Sequence, residues 1–355
     1  MTNKGRSAAL NKEKKLTAID LFCGAGGLSF GFEKAGIEII AGFDSCQDSL
    51  KTFTHNHRNA KGIYCDLSKP ILGINEYIGV DILIGGPPCQ GFSISGKRDP
   101  KDKRNDLYTA YIATLKQLKP KYFLMENVPN LVSMDNGKIK DKIIKDLSAL
   151  GYNITYKIIN AADYGVPQNR RRVIFIGSLG KFMYINEEIK KESPVSCSSA
   201  ISDLPEDEVI DGESYTINPH SDYQTIMRNN SAGIWNHQIT DHTEKTKKII
   251  SLVPDGGNYK DLPMEYQGTR KVNIAWTRYS SNKPSNTIDT GHRHHFHYKF
   301  NRVPTVRESA RLQSFPDNFI FFGSKTSQYR QVGNAVPPIL GFNLAKQIIE
   351  DSYAV

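Results

Sequence analysis

The sequence predicts an α/β protein built on a doubly wound, mostly parallel sheet, with a smaller, irregular and β-rich domain late in the chain. Three observations carry that expectation. Short apolar runs alternate with amphipathic helical stretches through the first 180 residues, the pattern of a parallel sheet covered on both faces. Glycine-rich or proline-rich turns and single acids follow the ends of several runs, where open α/β sheets bind their ligands. Beyond Gly180 the pattern gives way to polar, Asn- and Ser-rich sequence as far as about Lys299, after which helical periodicity returns.

Taken in order, Leu16 to Phe22, Glu38 to Phe43, Gly62 to Cys65, Val80 to Ile84, Lys121 to Met125, Ile154 to Ile159 and Val173 to Ile176 read as strands. Between them Leu28 to Ala35, Cys46 to His55, Leu107 to Leu118 and Ile139 to Leu150 carry helical periodicity, as do Val306 to Gln313 and Ile339 to Asp351 near the end. The domain organisation expected is 1–180 for catalysis and cofactor binding, 181–299 as a separate small domain, and 300–355 returning to the first.

Composition narrows the class. A chain of 355 residues has room for two domains or one large domain with an insertion. The net charge of +9 and pI near 9.1 fit a polyanionic partner such as nucleic acid, although a solvated basic surface has the same signature. The five cysteines are odd in number and none pair at metal-ligand or redox spacing, so neither a disulfide framework nor a zinc site is expected. No stretch approaches the length of a membrane span, and Met1 to Lys15 is polar and basic. These features predict a cytoplasmic protein with no membrane association.

The first strand runs into Asp20-Leu21-Phe22-Cys23-Gly24-Ala25-Gly26-Gly27-Leu28. Glycines let the backbone approach a ligand closely, and the amides opening the next helix favour a negative group. Asp44 ends the second strand, where an acid commonly accepts ribose hydroxyls, and Asp66 follows the third. Ser29 stands where a dinucleotide fingerprint needs its third glycine, which disfavours a pyrophosphate. The reading is adenosine carrying one carboxylate, as in S-adenosylmethionine.

Gly85-Gly86-Pro87-Pro88-Cys89-Gln90 puts a cysteine just past the fourth strand, on a turn stiffened by two prolines. Most intracellular cysteines are small core residues. Here the flanking glycines and prolines, and the polar, basic stretch from Ser93 to Asp106, point instead to a nucleophile beneath a lid. Glu126 ends the fifth strand, and a thiol beside a carboxylate suggests covalent catalysis assisted by an acid.

These segments, together with Gln168-Asn169-Arg170-Arg171-Arg172, Arg307 to Gln313 and Gln331-Val332-Gly333-Asn334-Ala335-Val336-Pro337-Pro338, resemble the DNA (cytosine-5) methyltransferases in order and spacing over most of the chain. The resemblance implies the S-adenosylmethionine-dependent methyltransferase fold with a target recognition domain, and methyl transfer to carbon 5 of a flipped-out cytosine. It implies that Cys89 is the nucleophile, that Glu126 holds the base at ring nitrogen 3, that Arg172 contacts its carbonyl oxygen, and that Arg170 helps to position Glu126. For the cofactor it implies Phe22 against adenine, Gly24, Gly26, Gly27 and Leu28 in the turn, Asp44 on the ribose, and Asp66 with Leu67 on the adenine edge. Pro87, Leu107, Asn334 and Val336 complete that pocket. One departure is that many relatives carry Glu and an aromatic where this chain has Asp44-Ser45, so stacking on that side of adenine is missing. The partner implied is double-stranded DNA, with a cognate restriction endonuclease that forms no stable complex, and the chain is expected to be a monomer.

For DNA contacts the expectation is Gln90, Ser93, Ser95, Lys97 and Arg98 in the closing loop, and Arg270, Arg278 and Arg293 in the irregular segment, reading phosphates or guanine edges. The histidines of Gly291 to His297 match no zinc spacing and are read as a loop near DNA, and His55 and His57 as surface residues. Competing readings are an RNA cytosine-5 methyltransferase on the same scaffold, a catalytically silent nucleic-acid-binding module, and a nicotinamide-dependent dehydrogenase. The joint presence of Cys89, Glu126 and Arg172 argues against the second, and the glycine spacing against the third.

Overall fold

A seven-stranded sheet in the order β3-β2-β1-β4-β5-β7-β6 organises the chain. The computed structural model describes residues 15–88, 105–186, 193–267, 276–290 and 294–353. Its strands are β1 (Thr17–Leu21), β2 (Glu38–Asp44), β3 (Lys61–Tyr64), β4 (Ile82–Gly85), β5 (Tyr122–Asn127), β6 (Asn153–Asn160) and β7 (Arg171–Ser178). All seven runs expected as strands are strands. Between them lie α1 (Gly27–Ala35), α2 (Gln47–Asn56), α3 (Asn105–Leu118) and α4 (Lys138–Ser148).

The chain winds outward from β1 in both directions, β1 pairing in parallel with both β2 and β4. The order therefore reverses between β1 and β4, and a crevice opens above their carboxyl ends. β4 and β5 are buried along their whole length, which is why both read as unbroken apolar runs rather than alternating ones. On one face Leu28 and Phe32 of α1 pack with Leu340, Leu344 and Ile348 of the last helix, and on the other Tyr111 and Leu115 of α3 pack with Ile143 and Leu147 of α4. Burying each such side chain contributes about 1.5–3 kcal/mol.

β7 runs antiparallel to both β5 and β6. Its amino-terminal end therefore lies beside the carboxyl end of β5, with Asn127 opposite Val173. This one reversed strand carries the arginine cluster to the same edge as the strand-tip acids.

After β7 the described residues contain short helices, α5 (Cys197–Ile201), α6 (Asp222–Arg228), α7 (Glu244–Ser251) and α8 (Met264–Gln267), and a two-residue pair, β8 (Thr277–Arg278) with β9 (His295–Phe296). The β-rich content expected for 181–299 is thus confined, among described residues, to that pair and isolated bridges. Nor do these residues share one core. Cys197, Ile201, Tyr223 and Ile234 pack with Val306, Phe315 and Val332, whereas Ile249, Ile250, Val253, Leu262 and Phe296 form a separate cluster with Val303. The chain returns through α9 (Val306–Leu312), α10 (Lys325–Asn334) and α11 (Pro338–Tyr353).

Three arginines hold this second half together. Arg311, fully buried, pairs with Asp203 and Asp317, and Arg307 donates to the carbonyls of Trp235, Pro316 and Phe319. Burial alone would lower the Arg311 pKa, but the charges and hydrogen bonds of Asp317 and Asp203 together outweigh it and hold the guanidinium firmly charged. The third corrects an expectation. Arg278, taken from sequence as a DNA contact, is 5% exposed and donates to the carbonyls of Val253, His297, Phe300 and Ile250 and to Asn301 Oδ1. With its donors occupied inside the protein it clamps the α7 and β9 segments and is not available to DNA. His57 is likewise interior rather than on the surface, because its ring packs 4.3 Å from that of Phe53 and Nδ1 lies 2.8 Å from Glu33. His297 is also buried, its Nδ1 accepting from the amides of Lys299 and Phe300.

Candidate active site

Above the carboxyl ends of β1, β2, β4 and β5 lies a cleft of about 590 Å³. It is lined by Phe22, Gly24, Gly27, Leu28, Asp44, Asp66, Leu67, Pro87, Leu107, Asn334 and Val336, all proposed from sequence for the cofactor, and by Glu126, Arg170 and Arg172. The topology explains the convergence, since consecutive parallel strands end at one edge and β7 begins there.

The glycine turn is shaped by contacts that exclude side chains. Gly26 caps α1 with φ +92°, and a Cβ there would stand 2.1 Å from His57 Nε2. Gly26 thus serves the turn from behind and does not line the cleft. At Gly27 a Cβ would meet the carbonyl of Val336 at 2.3 Å, so the turn and the α10–α11 connection close tightly on each other. Phe22 adopts φ 61°, an uncommon backbone for a bulky residue and a mark of local strain at a binding turn.

Three carboxylates face this end. Asp44 accepts from the amides of Gly24 and Cys46, each at 2.8 Å, and so fixes the turn. Burial raises its pKa, with those hydrogen bonds opposing. Asp20 is buried, takes the hydroxyl of Ser29 at 2.6 Å, and has its pKa pushed up to about 7, chiefly by burial, with the Asp44 charge adding to the effect. Asp66 is exposed, and hydrogen bonds from Ser68, with Lys69 nearby, bring it down to about 2. A ligand with cationic and hydroxyl groups fits such a set.

At the other end Asn127 Nδ2 donates to the carbonyl of Pro87 at 2.7 Å, tying the tip of β5 to the proline turn after β4. Glu126 is 9% exposed, and Arg172 Nε lies 2.8 Å from its Oε1. The N–H is not aligned on that oxygen, which has no hydrogen bond, so the carboxylate is paired in charge yet has an unused acceptor. Gly86 leaves room for it, since a Cβ there would be 3.2 Å from Glu126 Oε2. Arg170 is buried and its pKa falls to about 9, from burial first and the Arg172 charge second. Its Nη2 reaches the carbonyl of Asn334 at 3.5 Å, and Nε and Nη1 have no hydrogen-bond partner among the described residues. It makes no hydrogen bond to Glu126.

Cys89, Gln90, Ser93, Ser95, Lys97, Arg98, Arg270 and Arg293 lie outside the described residues. Pro87 and Pro88 line the cleft immediately before Cys89. The cleft also includes residues to which the sequence reading gave no site role: Ser45, Cys46, Ser49, Thr290, Ser327, Arg330 and Gln331. Hydroxyls and an arginine scattered over separate segments carry no local signature.

A doubly wound sheet whose cleft joins strand-tip acids to a glutamate–arginine pair defines a nucleoside-cofactor enzyme acting on a second substrate. Residues 16–350 match the C-5 cytosine-specific DNA methylase family, and the chain belongs to it. It is 37% identical to the Type II methyltransferase M.DdeI of Desulfomicrobium norvegicum over 94% of this chain and 88% of that one. It is 35% identical to M1.HphI of Haemophilus parahaemolyticus over 94% and 87%. A crystal structure of a candidate DNA modification methyltransferase encoded within an E. coli prophage superposes with TM-score 0.77 at 28% identity, covering 95% of this chain and 99% of that one. The protein is an S-adenosylmethionine-dependent DNA cytosine-5 methyltransferase. Among the described residues no helix is long and apolar enough to cross a membrane.

Proposed function

We propose that Cys89 adds to carbon 6 of the target cytosine while Glu126 and Arg172 hold the ring, and that the cofactor occupies the Asp20, Asp44 and Asp66 end of the same cleft. The observation that carries this reading is the Glu126–Arg172 pair beside the proline turn that leads into Cys89. Addition of the thiolate breaks the carbon 5–carbon 6 double bond and sends electron density toward nitrogen 3, where Glu126 supplies or shares a proton. The cofactor's chemistry is a methyl group on a sulfonium. Carbon 5 would accept that methyl, the sulfonium leaving as a neutral thioether, and would then lose its proton to a base, water being one candidate, as the Cys89 bond breaks, nitrogen 3 returns its proton to Glu126 and aromaticity is restored. Flipping the base out of the duplex costs a few kcal/mol, and the Gln90 to Arg98 loop together with the 181–299 segment is the proposed filler of the gap and reader of sequence. By likeness to the Type II relatives, the modification protects DNA from a cognate nuclease, with the enzyme working as a monomer in the cytoplasm. Bisulfite sequencing of plasmid from cells expressing the chain tests the activity and reveals the site. Absence of converted-resistant cytosines at any fixed sequence would overturn the reading.

Two expectations follow for the cofactor end. Asp44→Ala removes the ribose acceptor and loosens the Gly24 turn, so S-adenosylmethionine should bind more weakly by roughly 1–3 kcal/mol in calorimetry. An unchanged dissociation constant would place the cofactor elsewhere. The second concerns pH. Asp20 is largely neutral below about 7 and ionised above it, and a cationic ligand favours the ionised form. Cofactor affinity should therefore rise between pH 6 and 8, and binding near pH 6.5 should release protons. Calorimetry in buffers of different ionisation heat measures that release, and Asp20→Asn should abolish it. Equal release from the variant would show that another group titrates.

A further inference from the structure

The cleft contains more acid than base at its cofactor end. Asp20, Asp44 and Asp66 line it there, and each repels a ligand carboxylate when ionised. Of the three arginines lining the cleft, Arg172 is committed to Glu126, and Arg170, although its Nε and Nη1 have no hydrogen-bond partner among the described residues, is buried, lies within the field of the Glu126 and Arg172 charges and directs Nη2 to the Asn334 carbonyl. Arg330 is different. It is exposed on the rim and has no ion pair or hydrogen bond among the described residues.

Its backbone is nevertheless fixed. On one side Tyr329 is buried and its hydroxyl donates to the Pro304 carbonyl at 2.6 Å, and on the other Gln331 is buried and its Nε2 donates to the Phe322 carbonyl at 2.8 Å. Two anchored neighbours hold α10 so that residue 330 stays at the cleft mouth. Ser327, one turn earlier, and Ser49 of α2 line the same cleft and offer hydroxyl donors.

We propose that Arg330 is the carboxylate-binding residue of the cofactor site, pairing with the amino-acid carboxylate of S-adenosylmethionine and of its demethylated product S-adenosylhomocysteine. The proposal rests on the placement of the cofactor in this cleft. Guanidinium suits the role because it recognises a carboxylate through two parallel N–H bonds and stays charged at every working pH. The consequence is selectivity. The site discriminates ligands that carry the amino-acid moiety from adenosine thioethers that lack it.

Calorimetric titration of the full chain with S-adenosylhomocysteine and with 5′-methylthioadenosine, which lacks the amino-acid moiety, separates the possibilities. Arg330→Gln should weaken S-adenosylhomocysteine on the order of tenfold and leave 5′-methylthioadenosine unchanged, the loss expected for one charge-assisted contact. Arg330→Lys should recover part of the loss, and the difference should shrink as salt is raised. Equal weakening of both ligands, or no change in either, overturns the proposal. If S-adenosylhomocysteine is unaffected while DNA of every sequence binds more weakly with a shallower salt dependence, Arg330 is a phosphate contact instead. Asp44→Ala distinguishes the underlying placement. It should weaken both ligands, and if it weakens neither, the cofactor is not in this cleft and both readings fail together.

Discussion

Cys89→Ser should lower methyl transfer by roughly a thousandfold or more while leaving DNA affinity and melting temperature close to those of the parent. An alcohol is a far poorer nucleophile than a thiol at neutral pH, and the step lost is the addition that makes carbon 5 reactive. The turn leading to residue 89 is set by Pro87, Pro88 and the Asn127 hydrogen bond to the Pro87 carbonyl, none of which involves the sulfur. A second measurement covers the case in which serine disturbs the loop. DNA with 5-fluorocytosine at the target should trap the parent enzyme in a denaturant-stable adduct, since fluorine cannot leave as a proton does. Activity of Cys89→Ser within a few-fold of the parent, or no adduct under turnover conditions, would remove the covalent role. Glu126→Gln makes a useful contrast: it retains the shape at the strand tip but not the charge facing Arg172, and should slow transfer without preventing cytosine-analogue DNA from binding.

The sheet was legible because strands buried on both faces declare themselves as short apolar runs, as at Ile82–Gly85, and because glycine, proline and acid punctuation marks their carboxyl ends. The direction of β7 was not legible. A strand's apolar pattern is the same read either way, and only its pairing with β5 shows that Arg172 starts beside Glu126. Arginines misled for a related reason. The letter carries charge but says nothing about burial, and one of the two acids that hold Arg311 inside, Asp203, is 108 residues away in the chain. Arg278 satisfies its donors on backbone carbonyls that no residue pattern announces. Arg330 escaped notice because the strand-tip acids that line the same cleft lie more than 200 residues earlier in the chain.

Exchanging residues 244–300 for the matching segment of a relative with a different target should move methylation to the relative's sequence, whereas exchanging the whole of 181–299 should yield little folded protein. The two differ in what they cut. The wider exchange removes Asp203, the partner of both Arg311 and Arg228, and replaces Cys197, Ile201 and Tyr223 in the core shared with α9 and α10. Leaving Arg311 buried without one of its carboxylates costs about 3–5 kcal/mol, a large part of a domain's net stability. The narrower exchange carries with it Ile249, Ile250, Val253, Leu262 and Phe296, along with the Arg278 clamp that binds this cluster to Phe300, and touches the shared core only through Tyr279, Ile288 and Tyr298. It also carries Arg270 and Arg293, the remaining candidates of the irregular segment for base or phosphate contacts. Specific DNA binding commonly exceeds non-specific binding by about 10³–10⁷, so transfer of the reading surface should relocate modification completely rather than blur it. Sequencing the methylated positions of a folded, active chimera decides the matter. If the parent's site persists after the narrow exchange, recognition resides in the loop after Cys89 or in the residues between β7 and α7, and the reading segment has been drawn in the wrong place.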